Sequence, residues 1–197
     1  PMITMVMAAS GVASQLITRI GARPLMIAGS AIATVGMFWL SRINEGSHYA
    51  SGLLGPMLVT ALGMGLIFVP LSLVSLAKVA DNDAGVASSL LNVGQQVGGS
   101  IGLAILGTVA WSAVATSIHS QAAAAAAAAK HASTHLSAAA QAAAQKGILN
   151  HAYSTGFSKG YIVSAGIALL GLIITVLAIR VKKDDLAGIN PMAAPAD

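Results

Sequence analysis

Three neutral amides in one uncharged stretch are the residues of this sequence best suited to contact a small molecule. Asn92, Gln95 and Gln96 lie in GVASSLLNVGQQVGGSIGLAILGTV, residues 85–109, which holds no charged side chain. A primary amide both donates and accepts hydrogen bonds, so it can contact ligands of varied shape without a matching charge. The sequence shows no nucleophile paired with a base, no paired carboxylates and no phosphate-binding glycine loop. It therefore argues against an enzyme.

The three amides share one arc of a predicted helix. At about 100° per residue, their arc also holds small and hydroxyl residues, and an apolar arc lies opposite. The polar arc adds Gly85, Ser88, Ser89, Gly99 and Ser100, and the apolar arc holds Leu90, Val93, Val97, Ile101 and Ala104. Unpaired amides are costly in hydrocarbon, so the polar arc must face protein or water. Two interpretations stay open: the amides hydrogen-bond across a helix interface, or they line an aqueous substrate cavity.

The composition is that of an integral membrane protein. The chain is 56% hydrophobic and 8% charged, with a mean hydropathy of +0.79, whereas soluble domains carry roughly 25% charged residues. The absence of cysteine excludes a disulfide framework and thiolate metal sites. The net charge is +4, but the ten Lys and Arg residues are scattered and form no basic patch. Nucleic acid is therefore not an expected partner.

Uncharged intervals of about 20 mostly apolar residues are long enough to cross the hydrocarbon core as helices. Five such intervals predict transmembrane helices at residues 1–18, 25–41, 53–77, 84–118 and 161–179. The expected fold class is an all-α integral membrane protein with five transmembrane helices. Its last segment, residues 180–197, is predicted to be a tail.

Residues 119–159 form the one long connection, an alanine-rich loop. Alanine is the best helix former, so we expect a helix within this loop, frayed at Gly147. His131 and His135 are four residues apart and could share a helix face for a metal. No third ligand is apparent, so we interpret both as solvated and predict no metal site.

The distribution of Lys and Arg near the span ends predicts the orientation. One side receives Arg19, Arg23, Lys78, Arg180, Lys182 and Lys183, and the other receives Arg42, Lys130, Lys146 and Lys159. The side with six cations is expected to be cytoplasmic. The tail then lies inside, and the chain start and the alanine-rich loop lie outside.

Glycine and proline mark positions of close packing or bending. Gly63 and Gly65 precede Pro70, which removes one backbone hydrogen bond and bends a helix. In the next span, glycine recurs at four-residue steps on the flank of the polar arc, which lets a neighbouring helix approach closely. These residues are Gly94, Gly98 and Gly102.

Four segments occur in an order and spacing that resemble a known family. They are TRIGARPLMIAGS, GMGLIFVPLSLVSLAKV, GVASSLLNVGQQVGGSIGLAILGTV and GFSKGYIVSAGIALLGL. They resemble the last five spans of fourteen-span drug:proton antiporters of the EmrB/QacA type, within the major facilitator superfamily. The most specific part is the Asn-x-x-Gln-Gln-x-Gly-Gly-x-x-Gly run. The resemblance implies a C-terminal portion forming a partial major facilitator bundle, with the first nine spans absent.

The turn SQLITRIGARP resembles the superfamily's cytoplasmic motif Gly-x-x-x-Asp-Arg-x-Gly-Arg-Arg. Arg19, Gly21 and Arg23 match the motif. Thr18 stands where the family has its aspartate, which takes part in a charge network that controls opening. Ser14 and Ala22 replace a glycine and a basic residue.

The resemblance implies a proton-coupled multidrug efflux transporter that works by alternating access in the plasma membrane of a bacterium. No cofactor is expected beyond the proton gradient as energy source. The implied partners are the lipid bilayer, the missing N-terminal spans and amphiphilic small-molecule substrates. Two alternatives stay open: an exporter of one natural compound, such as a lipid or an antibiotic, and a membrane scaffold or sensor without transport.

Every acidic residue of this chain falls in a predicted loop or in the tail. The six are Glu45, Asp81, Asp83, Asp184, Asp185 and Asp197. Proton relays in carriers use carboxylates or histidines inside the membrane. We therefore expect the proton-coupling groups to lie in the missing spans.

Overall fold

Five long α-helices make up most of this computed structural model, which describes residues 2–43, 52–76, 79–131 and 137–178. The helices are α1 (Met2–Ile20), α2 (Ala22–Leu40), α3 (Leu54–Leu76), α4 (Ala84–His131) and α5 (Ala138–Ala178). The described residues contain no β-strand. All five helices are long and apolar enough to cross a membrane. The predicted fold class, all-α with five apolar helices, is confirmed.

The alanine-rich segment differs most from the sequence-based expectation. Helix α4 continues to His131, and α5 already begins at Ala138, so both helices extend into the stretch predicted as a loop. Gly147 lies inside α5, so the fraying expected there is wrong. Alanine propensity explains the extension, because no proline interrupts residues 84–178. His135 and the tail at 180–197 lie outside the described residues. The side of the membrane on which the alanine-rich segment and the tail lie stays a prediction.

Helices α2 and α3 run antiparallel and approach each other at glycines. Gly36 packs on Thr60, whereas Gly29, which is earlier in α2, packs on Gly63 of α3. A Cβ atom on Gly63 would lie 2.5 Å from the backbone nitrogen of Ala33, so only glycine fits this contact. Such close backbone approach is the usual way in which membrane helices gain packing energy.

Helix α1 packs along α3. A Cβ atom on Gly65 would lie 2.5 Å from the Cβ of Ala9, and Ile17 and Leu66 belong to one buried cluster. Pro70 is fully buried inside α3. The bend that we predict at Pro70 stays a prediction.

Helix α5 returns antiparallel to both α2 and α4. Two hydrogen bonds connect it to the two ends of α2: the Ser158 hydroxyl donates to the Ser41 carbonyl, and the Arg23 guanidinium donates to the Val176 carbonyl at 3.0 Å. Against α4, Gly156 packs on Val114. From this contact toward His131 of α4 and Ala138 of α5, the two helices form a hairpin that extends past the C-terminal end of α2.

The surroundings of two glycines predict opposite effects when each is replaced by alanine: Gly63 lies in the α2–α3 contact, and Gly11 lies in α1. Gly63→Ala forces backbones apart and should cost about 1–3 kcal/mol of unfolding free energy, as overpacking does. Gly11→Ala is the matched control, since a Cβ there meets no atom within 4 Å. It should stabilise α1 by up to about 1 kcal/mol. Unfolding of the purified chain in mixed micelles, followed by circular dichroism, measures both; equal stability of the two variants would contradict the packing assigned to Gly63.

Candidate functional site

An open groove of about 550 Å³ lies between the C-terminal end of α3 and the N-terminal part of α4. Its walls are mainly apolar, and their polar side chains are Ser75 and Gln95. The Ser75 hydroxyl donates to the Leu71 carbonyl at 2.8 Å, so its proton is already used within α3. The Gln95 amide is therefore the side-chain hydrogen-bond donor that the groove offers to a ligand.

Only one of the three predicted cavity residues lines this groove. Gln95 forms part of the wall, and Asn92 and Gln96 do not. All three side chains are exposed. Within the part of the chain that the structure describes, none of the three amide groups makes a hydrogen bond. They stay candidates for a cavity or for an interface with further helices.

The serines of the polar arc behave differently from the amides. The Ser88 and Ser89 hydroxyls donate to the Gly85 carbonyl at 3.0 and 2.9 Å, and Ser100 donates to the Gln96 carbonyl at 2.8 Å. These hydroxyls are satisfied by their own helix, as serine allows. The groups of this arc that need an outside partner are thus the three amides.

The glycine flank of α4 borders the groove. Gly94 is one of the groove residues. A Cβ atom on Gly94, Gly98 or Gly102 would meet no described atom within 4 Å. The close helix approach that we predict for this flank is thus not made by the described helices, and it stays a prediction.

The turn between α1 and α2 holds the residues that match the cytoplasmic motif. Gly21 has φ 87° and ψ 167°, a conformation essentially restricted to glycine. The Thr18 hydroxyl, at the position of the motif's aspartate, donates to Gln15 in its own helix at 2.8 Å. Arg19 lies in the last turn of α1. Arg23 contacts the last turn of α5, where a cation stabilises the negative end of the helix dipole.

Sequence reasoning missed several of these residues. No motif marks Ser75 or Leu91 as groove residues, because they meet only when α3 packs beside α4. The spacing of Gly156 and Gly160 resembles a packing motif and could have indicated the α4–α5 contact. Among the described residues, no group of three His, Asp or Glu side chains could hold a metal ion.

The contact between Arg23 and α5 predicts a local change in stability. Arg23→Met should weaken the last turn of α5 by about 0.3–1 kcal/mol, which corresponds to about two- to fivefold faster amide exchange there. Arg42→Met, which removes a cation at the other end of α2, serves as the control and should leave that turn unchanged. Hydrogen–deuterium exchange resolved to α5 peptides makes the measurement. Unchanged exchange in Arg23→Met would show that the contact contributes nothing.

Sequence comparison finds similar proteins among those named for export, transport and drug resistance. No protein-family model matches the chain. The cephamycin export protein CmcT of Amycolatopsis lactamdurans is 40% identical over 102 residues, which are 52% of this chain and 21% of that protein. In Mycobacterium tuberculosis, the uncharacterized MFS-type transporter EfpA is 33% identical over 50% of this chain and 19% of that protein. The multidrug resistance protein Stp of the same organism is 31% identical over 58% of this chain and 21% of that protein.

These matches cover about half of the chain, and the chain spans about a fifth of the length of these relatives. One of these relatives is named an export protein and another an MFS-type transporter. The five apolar helices agree with a protein that crosses the membrane several times. Over about half of its length, this chain is therefore similar to proteins named for antibiotic export, MFS-type transport and multidrug resistance.

Proposed function

We propose that this chain is part of a proton-coupled multidrug efflux transporter in the plasma membrane of a bacterium. The groove beside Gln95 is the observation that carries the proposal. Its volume of about 550 Å³ falls within the roughly 300–1,000 Å³ of sites that hold small molecules. The names of the relatives, among them an exporter and a multidrug resistance protein, support the same activity.

The chemistry of the groove suits amphiphilic substrates. Apolar walls such as Leu91, Ala87 and Val79 attract any apolar surface, because the hydrophobic effect that removes such a surface from water is favourable and non-directional. Gln95 adds one neutral group that can either donate or accept a hydrogen bond. Such a site discriminates weakly between substrates of similar size, as multidrug export requires.

Alternating access is the mechanism that we propose for this helix arrangement. The N-terminal half of α4 exposes both of its arcs: Leu90 of the apolar arc is 71% exposed, and Gln95 and Gln96 of the polar arc are exposed as well. The apolar arc then faces lipid, and the polar arc faces the transporter's other helices or its aqueous cavity. Rocking of α3 and α4 against those helices would open the groove to one side of the membrane at a time.

Protons are the proposed energy source, and the five long helices that the structure describes carry no acidic side chain to relay them. The described acidic residues lie in the short turn Asp81–Asp83 between α3 and α4. The groups that couple export to protons therefore belong to other parts of the transporter.

Export of one natural compound is the second candidate function. CmcT, whose name assigns it cephamycin export, shares 40% identity with this chain. A dedicated exporter would hold its substrate by several directional contacts, whereas the described groove offers one free amide. Competition between chemically unrelated substrates in an efflux assay separates the two functions, because only a multidrug transporter shows it.

The role of Gln95 can be tested against its neighbours in the same helix. Gln95→Leu should reduce export about three- to tenfold at equal membrane abundance, since one hydrogen bond contributes about 0.5–1.5 kcal/mol. Gln96→Leu makes the same chemical change outside the groove, and Val97→Leu changes the apolar arc; both should reduce export less. Dye efflux from cells expressing the full-length transporter makes the measurement. Normal export by Gln95→Leu would exclude the cavity role, and reduced abundance would show that the amide is structural.

The orientation can be tested by labelling exposed positions. Asn82 and Ser137 are both exposed. Asn82 precedes α4 in the chain, and Ser137 follows it. The distribution of Lys and Arg predicts that Asn82 lies in the cytoplasm and Ser137 outside it. The chain has no cysteine, so Asn82→Cys and Ser137→Cys each create a single thiol. In intact cells, an impermeant thiol reagent should label only Ser137→Cys; the reverse pattern would overturn the orientation and with it the cytoplasmic tail.

A further inference from the structure

Six of the seven described aromatic residues lie near one end of the helix bundle. They are Phe38, Trp39, Trp111, Tyr153, Phe157 and Tyr161. The Ser158–Ser41 hydrogen bond places the α5 turn that carries Phe157 beside the α2 turn that carries Trp39. The rings of Trp111 and Phe157 lie on either side of Tyr153, with centroids 6.3 and 6.5 Å from it. The aromatic side chains of α2, α4 and α5 thus form one band.

Five of the six aromatic residues of this band, all except Tyr161, are exposed. Trp111 is 64% exposed and Phe157 is 59% exposed, although large apolar rings are normally buried. Neither the Trp111 indole N–H nor the Tyr153 hydroxyl donates a hydrogen bond within the described residues. In the same band, the Arg42 guanidinium lies 5.3 Å from the centre of the Phe38 ring. Apolar rings with free donors and a nearby cation fit the boundary between lipid and water.

The height of the band agrees with a membrane boundary. The Ser158–Ser41 and Arg23–Val176 hydrogen bonds connect α5 to the two ends of α2. Along α5 they are separated by about 27 Å, at 1.5 Å per residue, which is close to the roughly 30 Å of the hydrocarbon core. The helices between these two bonds are thus long enough to span the core, and the aromatic band lies at one end of that length.

We propose that Trp111, Tyr153 and Phe157 form a lipid-binding surface that lies in the headgroup layer of the bilayer. Their rings lie at the boundary between the lipid acyl chains and the headgroups, and the indole N–H and the phenol hydroxyl donate hydrogen bonds to headgroup oxygens. Beyond this surface, α4 up to His131 and α5 from Ala138 stand in water as a hairpin of about 30 Å. The surface sets the height at which the hairpin leaves the membrane.

The two tryptophans of the chain make the proposal directly testable. Trp39→Phe leaves Trp111 as the single fluorophore. The whole chain is reconstituted into phosphatidylcholine vesicles that carry a spin label either on the headgroup or at the end of the acyl chain. Trp111 should lose more emission with the headgroup label, and it should be shielded in part from aqueous iodide.

Two further single-tryptophan variants calibrate the depth, each made in the background Trp39→Phe, Trp111→Phe. Phe68 is 53% exposed in α3 between the two boundaries, so Phe68→Trp should lose more emission with the chain-end label. Ala125 is exposed on the hairpin, so Ala125→Trp should be quenched by iodide and by neither lipid label.

Three results would overturn the proposal. Stronger quenching of Trp111 by the chain-end label would place it inside the core, and quenching by iodide as complete as that of Ala125→Trp would place it in water. Protection from all three quenchers would show that protein covers the ring. None of these readouts depends on export, so the outcome is separate from that of the proposed function.

Discussion

The close approach of α2 and α3 is the contact on which the rest of the fold depends. In hydrocarbon, apolar side chains gain little from leaving lipid for protein, so helices associate through dense packing. The backbones meet where Gly63 faces Ala33 and where Gly36 faces Thr60. The Thr60 side chain is buried, and its hydroxyl donates to the Pro56 carbonyl at 2.9 Å, so it leaves no unpaired polar group at this contact. The other helices are arranged around this pair.

Helices α1 and α5 pack on the pair at different points, and α4 is held mainly through α5. Small residues carry the α4–α5 contact: Gly156 lies against Val114, and Ala152 is fully buried. The N-terminal half of α4 is in consequence left largely uncovered, with an open groove beside α3. The groove is open because few residues of α3 pack against this half of α4.

The polar groups of α4 divide into two kinds with different requirements. Serine hydroxyls reach back to carbonyls of their own helix, so they can face lipid at little cost. The amides of Asn92, Gln95 and Gln96 are longer and make no such bond in the described chain. An unpaired amide in hydrocarbon costs several kcal/mol. This energetic difference is why the amides, rather than the serines, indicate which face of α4 requires protein or water beside it.

What the sequence determines by itself is the class of the protein and the number of its helices. Low charge and five uncharged intervals are enough, because lipid requires long apolar helices whose backbone groups are paired internally. Local preference also accounts for Gly21, whose backbone conformation only glycine adopts readily. The resemblance of the Asn92–Gly102 run to exporters can likewise be recognised from the sequence alone. The ends of the helices were harder to predict, because alanine extends α4 and α5 beyond the uncharged intervals that mark the spans.

Tertiary structure alone decided which residues meet. The groove joins Ser75 to Gln95 across the turn between α3 and α4, and Arg23 reaches Val176 at the far end of the chain. The aromatic band likewise brings together side chains from three helices. No local pattern encodes such pairs, because each helix has several similar faces. The choice among those faces is made by dense packing at glycines, and this depends on the partner helix.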